Sequence, residues 1–212
     1  MLCSHTLETI MRKLLTSTLL AVSFAVSAPA LAKSFGYDST ISEPLSSAVK
    51  IEVILSEDLS YRANNLPKKL SDRRNSRRLN SGFANNGFYG ERDLQRLSER
   101  LQSKIEKKFT KKGIEVSDNA STVLRVTIAD AKPNRPTHEQ LSREASLSFS
   151  SIGVGGAEIE SELVTADGRS LGTIDYRWYE TDIRDAQFGG TWSDAYRAFG
   201  RYASRAAKVL SN

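Results

Sequence analysis

Cysteine is almost missing from this chain of 212 residues: the single one, Cys3, stands close to the N-terminus. A disulfide framework is therefore excluded, and so is cysteine-based catalysis in anything that follows a leader. Histidine is nearly as scarce, with His5 and His138 only. No G-x-S-x-G nucleophile elbow accompanies His138, so a Ser-His-Asp arrangement has no support. With so few His and Cys, no transition-metal site and no cofactor is expected. No apolar run reaches the ~20 residues of a membrane span. Charge of one sign is not dominant either; the formal net charge is +5 at pH 7.

What is present begins with Arg12 and Lys13, the apolar run Leu14 to Val26, and Ala30-Leu31-Ala32. A short positive region, a short apolar run and a small-x-small site make up a secretory signal peptide. Residues 1–32 are read as that leader, with Met11 as an alternative start and cleavage expected between Ala32 and Lys33. The protein is expected to be periplasmic or secreted in a bacterium, with no transmembrane segment in the mature chain.

Residues 33–47, rich in serine with Gly36 and Pro44, read as a flexible lead-in, and 48–212 as a single domain. Val49, Ile51, Val53 and Leu55 alternate with polar residues, the period of a strand with one buried face. Periodicity then disappears over a long basic, Asn-rich loop at 56–90. Leu94, Leu97, Leu101, Ile105 and Phe109 form a helical stripe that Gly113 ends. Leu124, Val126 and Ile128 mark another strand. Thr137 and Gln140 have the spacing of a capping box for a short helix.

A hairpin follows. Ala157, Ile159, Ser161 and Leu163 lead to Asp167-Gly168, read as a two-residue type I′ turn, and Ile174, Tyr176 and Trp178 return. That register sets Glu158 opposite Arg177 and Glu160 opposite Asp175, the second a like-charge pair. A last helix carries Trp192, Tyr196, Phe199, Tyr202 and Val209, expected to be buried, with Thr191 and Asp194 as a capping box. The order predicts an α+β fold: a mainly antiparallel sheet of four to five strands with two main helices packed on one face. The glycines of Ile152-Gly-Val-Gly-Gly-Ala157 precede a strand rather than a helix, so they read as a bend and not a phosphate loop.

Two stretches carry candidate chemistry. Arg62, Lys68, Lys69, Arg73, Arg74, Arg77 and Arg78 crowd together against Asp72 alone. Such a run can grip an anionic partner, and Arg73, Arg74, Arg77, Arg78 and the nearby Tyr89 are the candidate contacts. Arg177-Trp178-Tyr-Glu180-Thr-Asp182-Ile-Arg-Asp185 gathers three carboxylates beside two arginines. Paired carboxylates can serve acid/base chemistry; arginines so close can also neutralise them in a salt-bridge network.

Tyr61-Arg-Ala-Asn-Asn-Leu-Pro67, Gly82-Phe-Ala-Asn-Asn-Gly87, Tyr89-Gly90 and Arg177 to Asp185 resemble a group of secreted proteobacterial proteins of uncharacterised function. More loosely, the order of elements is similar to envelope domains of unknown function that often occur as lipoproteins, although no cysteine follows the leader here. The resemblance implies an envelope protein without enzymatic activity. The expected function is a binding or interaction module whose partner is an anionic envelope component or an envelope protein. Nucleic acid is not an expected partner. The alternative is an envelope-polymer hydrolase using the carboxylates of Glu180 to Asp185, which an enzyme would gather around one concavity, with or without His138.

Overall fold

In the computed structural model, residues 34–68 and 82–211 are described. Residues 1–32, read above as a leader, and Arg73, Arg74, Arg77 and Arg78 lie outside them. The chain runs through β1 (Phe35–Ser39), β2 (Val49–Leu55), α1 (Glu57–Tyr61), a 3-10 turn (Phe83–Asn85) and α2 (Glu91–Lys111). It continues through β3 (Thr122–Lys132), α3 (His138–Arg143), β4 (Gly156–Thr165), β5 (Ser170–Tyr179) and α4 (Ser193–Ser211).

The strands form one five-stranded sheet in the order β1-β5-β4-β3-β2. All neighbours are antiparallel except β2 and β3, which run parallel. This is the mostly antiparallel α+β architecture that the periodicities predict; the one parallel pair arises because α2 lies between β2 and β3 in the chain and carries it back to the same end of the sheet. Alternate residues Val49, Ile51, Leu124, Val126, Ile128, Ile159, Leu163, Ile174 and Tyr176 point to one face and join a single core with the α2 stripe and with Trp192, Phe199, Tyr202 and Leu210 of α4. Small residues on α4 (Ala195, Ala198, Ala203 and Ala206, all buried) let that helix lie close to the sheet and to α2.

Four expectations are corrected. Residues 35–39 of the supposed flexible lead-in are a strand, paired antiparallel with β5. Alternation explains it: Phe35 stacks edge-on against Tyr176 and Tyr37 packs on the core, so a five-residue strand gains aromatic contacts that its serines conceal. The loop at 56–90 is not structureless where it is described. Ser56 caps α1, its Oγ accepting from the Leu59 N–H at 3.2 Å, and Glu57 and Asp58 sit favourably at that helix start.

The hairpin keeps the expected register, with Glu158 opposite Arg177 and Glu160 opposite Asp175, but by a different route. Type I′ needs positive φ at both central residues; Gly168 has φ 84° and Asp167 does not share it. The loop is longer, and one extra residue, Leu171, is absorbed as a bulge between the Leu163–Gly172 and Val164–Ser170 pairs. Finally, Tyr196 and Val209 are half-buried rather than core, and Asp194 does not close a capping box with Thr191. The Thr137–Gln140 box does form.

Candidate functional site

Arg177 points to the sheet face opposite the helices and pairs with Glu158 across the hairpin. Trp178, one residue on, points the other way, and the guanidinium groups of Arg197 and Arg201 on α4 lie 5.0 and 4.4 Å from its ring. Glu180 keeps only 13% of its side-chain surface and faces Arg197 at 3.6 Å. Its Oε1 also accepts the Thr181 and Asp182 N–H groups. Asp182 is held bidentate by Arg184, which lowers its pKa through that hydrogen bond. Asp185 is exposed, and His138, exposed on α3, stacks its ring edge-on against Phe149 at 5.8 Å. The structure thus spreads the three carboxylates along a surface turn, two of them held by arginines. They line neither of the clefts described below.

The same region holds a site that composition did not reveal. Arg62, assigned above to the basic loop, is 6% exposed. Its Nη2 donates to Asp130 Oδ1 at 2.5 Å, and Tyr179 donates its hydroxyl to Asp130 Oδ2 at 2.6 Å. Asp58 adds charge at 3.2 Å from Nε without an aligned hydrogen bond. A β-bulge between Ile128 and Asp130 turns the carboxylate toward this arginine. Burial works against ionising Asp130, but Arg62, Lys132 and the two hydrogen bonds outweigh it and hold the carboxyl below its ordinary value. Burial and the adjacent Asp130 together push the Tyr179 phenol well up.

Tyr89, a candidate contact in the sequence reading, belongs to this core. It is fully buried, donates to the Ala84 carbonyl at 2.7 Å, and meets Trp192 edge-on at 5.4 Å. It pins residues 82–90 to the domain and offers nothing to a partner. Gln140 reinforces that anchor: its Nε2 donates to the carbonyls of Phe83 and Gly87 at 2.7 and 2.8 Å. Gly87 has φ 82°, and an added Cβ would stand 2.1 Å from the Asn65 carbonyl oxygen. A second buried hub joins Asn134 to Asp194, which accepts from Asn134 Nδ2 at 2.5 Å and from the Gly155 and Gln187 N–H groups. This occupation of Asp194 is why it forms no capping box.

Two of the clefts among the described residues border the sheet. One, of about 410 Å³, crosses the outer face of β1, β5 and β4 past Asp38, Glu158, Glu160, Asp175 and Arg177. Burial, then Asp38 and Glu158, raise the Asp175 pKa there. The other, of about 670 Å³, runs between β2 and α2. Among the described residues no cluster of three or more His, Cys, Asp or Glu is placed to hold a metal, and no helix is long and apolar enough to cross a membrane.

No protein-family model matches the chain, and no curated protein matches it. Two solved structures align with it at low identity. A PelC dodecamer from Paraburkholderia phytofirmans aligns at 8% identity and TM-score 0.46, covering 84% of this chain and 97% of that one. A minor lipoprotein from Acinetobacter baumannii aligns at 11% identity and TM-score 0.26, covering 76% and 91%.

Proposed function

We propose that this protein is an exported, non-catalytic binding module of the cell envelope that works through its surfaces. The observation that carries this reading is the fate of the carboxylates nominated for catalysis: Glu180 and Asp182 are held by Arg197 and Arg184, and neither they nor Asp185 and His138 line the clefts described among these residues. The leader-like segment before Lys33 supports export. The helices cover only one face of the sheet, and the polar outer face stays accessible. Arg73, Arg74, Arg77 and Arg78, outside the described residues, are the proposed contacts for an anionic envelope component.

Fractionation and affinity capture test the reading together. The exported chain is expected to begin at Lys33 by intact mass and to retain an envelope component. Neutralising Arg73, Arg74, Arg77 and Arg78 to glutamine should weaken that capture most at low salt, where charge attraction is least screened. A chain that keeps residues 14–26 after fractionation would overturn the proposed export. Turnover of a cell-wall polymer that stops in Glu180→Gln would overturn the non-catalytic assignment.

A further inference from the structure

The edge strand β2 is not closed along its length. In a strand, the N–H and C=O of one residue point to the same side, and successive residues alternate sides. The Val49 N–H donates to the Glu115 carbonyl at 3.0 Å and its carbonyl accepts from the Ser117 N–H at 3.1 Å, on the side away from β3. The Ser56 N–H, an odd number of residues on, turns instead to the Ile128 carbonyl of β3 at 3.1 Å. Ile51 and Val53 share the parity of Val49. Their backbone groups therefore face away from β3, and among the described residues no backbone partner meets them. Residues 115–117 pair with the edge at Val49 alone, through a parallel bridge, and then leave it.

The cleft between β2 and α2 flanks this open stretch. Val53 and Leu94 give it an apolar floor, Glu91, Gln95, Ser98 and Glu99 a polar wall, and no lysine or arginine lines it. The opposite flank of α2 is mixed. Arg96 and Arg100 stand there beside Tyr196, with Glu99 shared between the two clefts; Lys104 lies under Gly200 of α4, and Asp93 accepts from the Trp192 indole at 3.2 Å. The cleft beside the open edge thus holds carboxylates and no cation, in a chain whose net charge is +5. Exposed edges are usually blunted by charge, proline or cover. Here an uncovered edge, an adjoining groove and one sign of charge coincide.

We propose that the β2 edge receives an extended, basic polypeptide segment of an envelope partner as a sixth strand, its alternate side chains entering the cleft between β2 and α2. Strand addition supplies affinity through main-chain hydrogen bonds to Ile51 and Val53 and specificity through the pockets for alternate side chains. Glu91 and Glu99 select cationic residues on that segment. The inference rests on the binding-module reading and adds the chemistry of the partner.

The test uses the full chain and three short probe peptides: one alternating valine and lysine, one alternating valine and glutamate, and the valine-lysine peptide N-methylated on the edge that would pair. Fluorescence anisotropy should show the first binding about tenfold or more tightly than either of the others, since each lost hydrogen bond weakens binding by several-fold. Amide exchange at Ile51 and Val53 should slow in its presence. Val53→Pro, which removes an N–H that bonds no backbone group among the described residues, should abolish binding while the circular dichroism spectrum is retained. Glu99→Lys, on an exposed helix position, should weaken the valine-lysine peptide and strengthen the valine-glutamate one. Equal binding of all three peptides, unchanged exchange at Ile51 and Val53, or full binding by Val53→Pro overturns the inference. So does a concentration-dependent dimer that Val53→Pro disrupts, because a second copy would then occupy the edge. Capture of an envelope component that persists when the peptides fail would leave the binding-module reading standing and remove only this edge from it.

Discussion

Arg62, Asp58, Asp130 and Tyr179 make one polar cluster; Arg184, Glu180, Asp182 and Asp185 make another. Both set carboxylates beside guanidinium groups, and their chemistry diverges only through position. In the first, a helix end and two strands bring Arg62, Asp130 and Tyr179 together with little solvent, so Arg62 and Asp130 depend largely on each other for solvation, while Asp58 stays half exposed at the rim. In the second, Asp182 and Arg184 are neighbours in the chain that meet at a turn water reaches, where an ion pair contributes little, and Glu180 alone is held from elsewhere, by Arg197 of α4. The cluster that looks catalytic in the sequence is the more exposed one, and the buried arginine is one that composition assigned to a loop.

Removing a partner from the buried cluster should therefore have the largest effect. Arg62→Ala is expected to cost about 3–5 kcal/mol in urea unfolding, because it strands Asp130 without its counter-charge. A loss below about 1 kcal/mol would show that water already solvates this carboxylate. Gln140→Ala comes next. It leaves the Phe83 and Gly87 carbonyls without their donor, and the unfolding free energy should fall by about 1–3 kcal/mol.

Acid separates the clusters further. The Asp130 carboxyl lies below its ordinary value in the folded protein. Its contribution is therefore complete above the unfolded carboxylate pKa of about 4 and is lost as pH falls through the lower folded value. Asp130→Asn should flatten the stability profile in that acid window, at the cost of lower stability at neutral pH. An unchanged acid profile would assign the pH dependence to other carboxylates.

Smaller effects belong to the exposed face. Asp175 meets Glu160 across the hairpin and Asp38 across β1. Asp175→Asn is expected to stabilise by a few tenths of a kcal/mol at low salt, a gain that salt should erase. Arg184→Ala should leave the melting temperature unchanged within measurement. A clear drop there would mean that the turn at Asp182 is structural after all.

Much of the architecture was legible because period is local. The alternation of Val49 to Leu55 and the stripe from Leu94 to Phe109 each identify an element without reference to the rest of the chain. The hairpin register was legible even though its turn was not, since alternating faces on both strands demand that Ile159 and Tyr176 share one side. β1 escaped notice because Phe35 and Tyr37 provide only two apolar residues, too few to show a period among serines. The buried site was harder still. Nothing near Arg62 in the chain distinguishes it from Arg73 or Arg74.

Sequence by itself determined which segments carry a buried face, because that face must repeat at the spacing of a strand or a helix. Only the tertiary structure decided which polar residues are enclosed and which edge stays open. Arg62 is buried because Asp130, 68 residues away, and Tyr179 converge on it. Glu180 is tied down because α4 brings Arg197 over the end of β5. Among the described residues β2 keeps its edge open beyond Val49 because β1 pairs at the opposite end of the sheet, beside β5. Desolvation and pairing depend on neighbours in space, and a linear pattern carries no record of them.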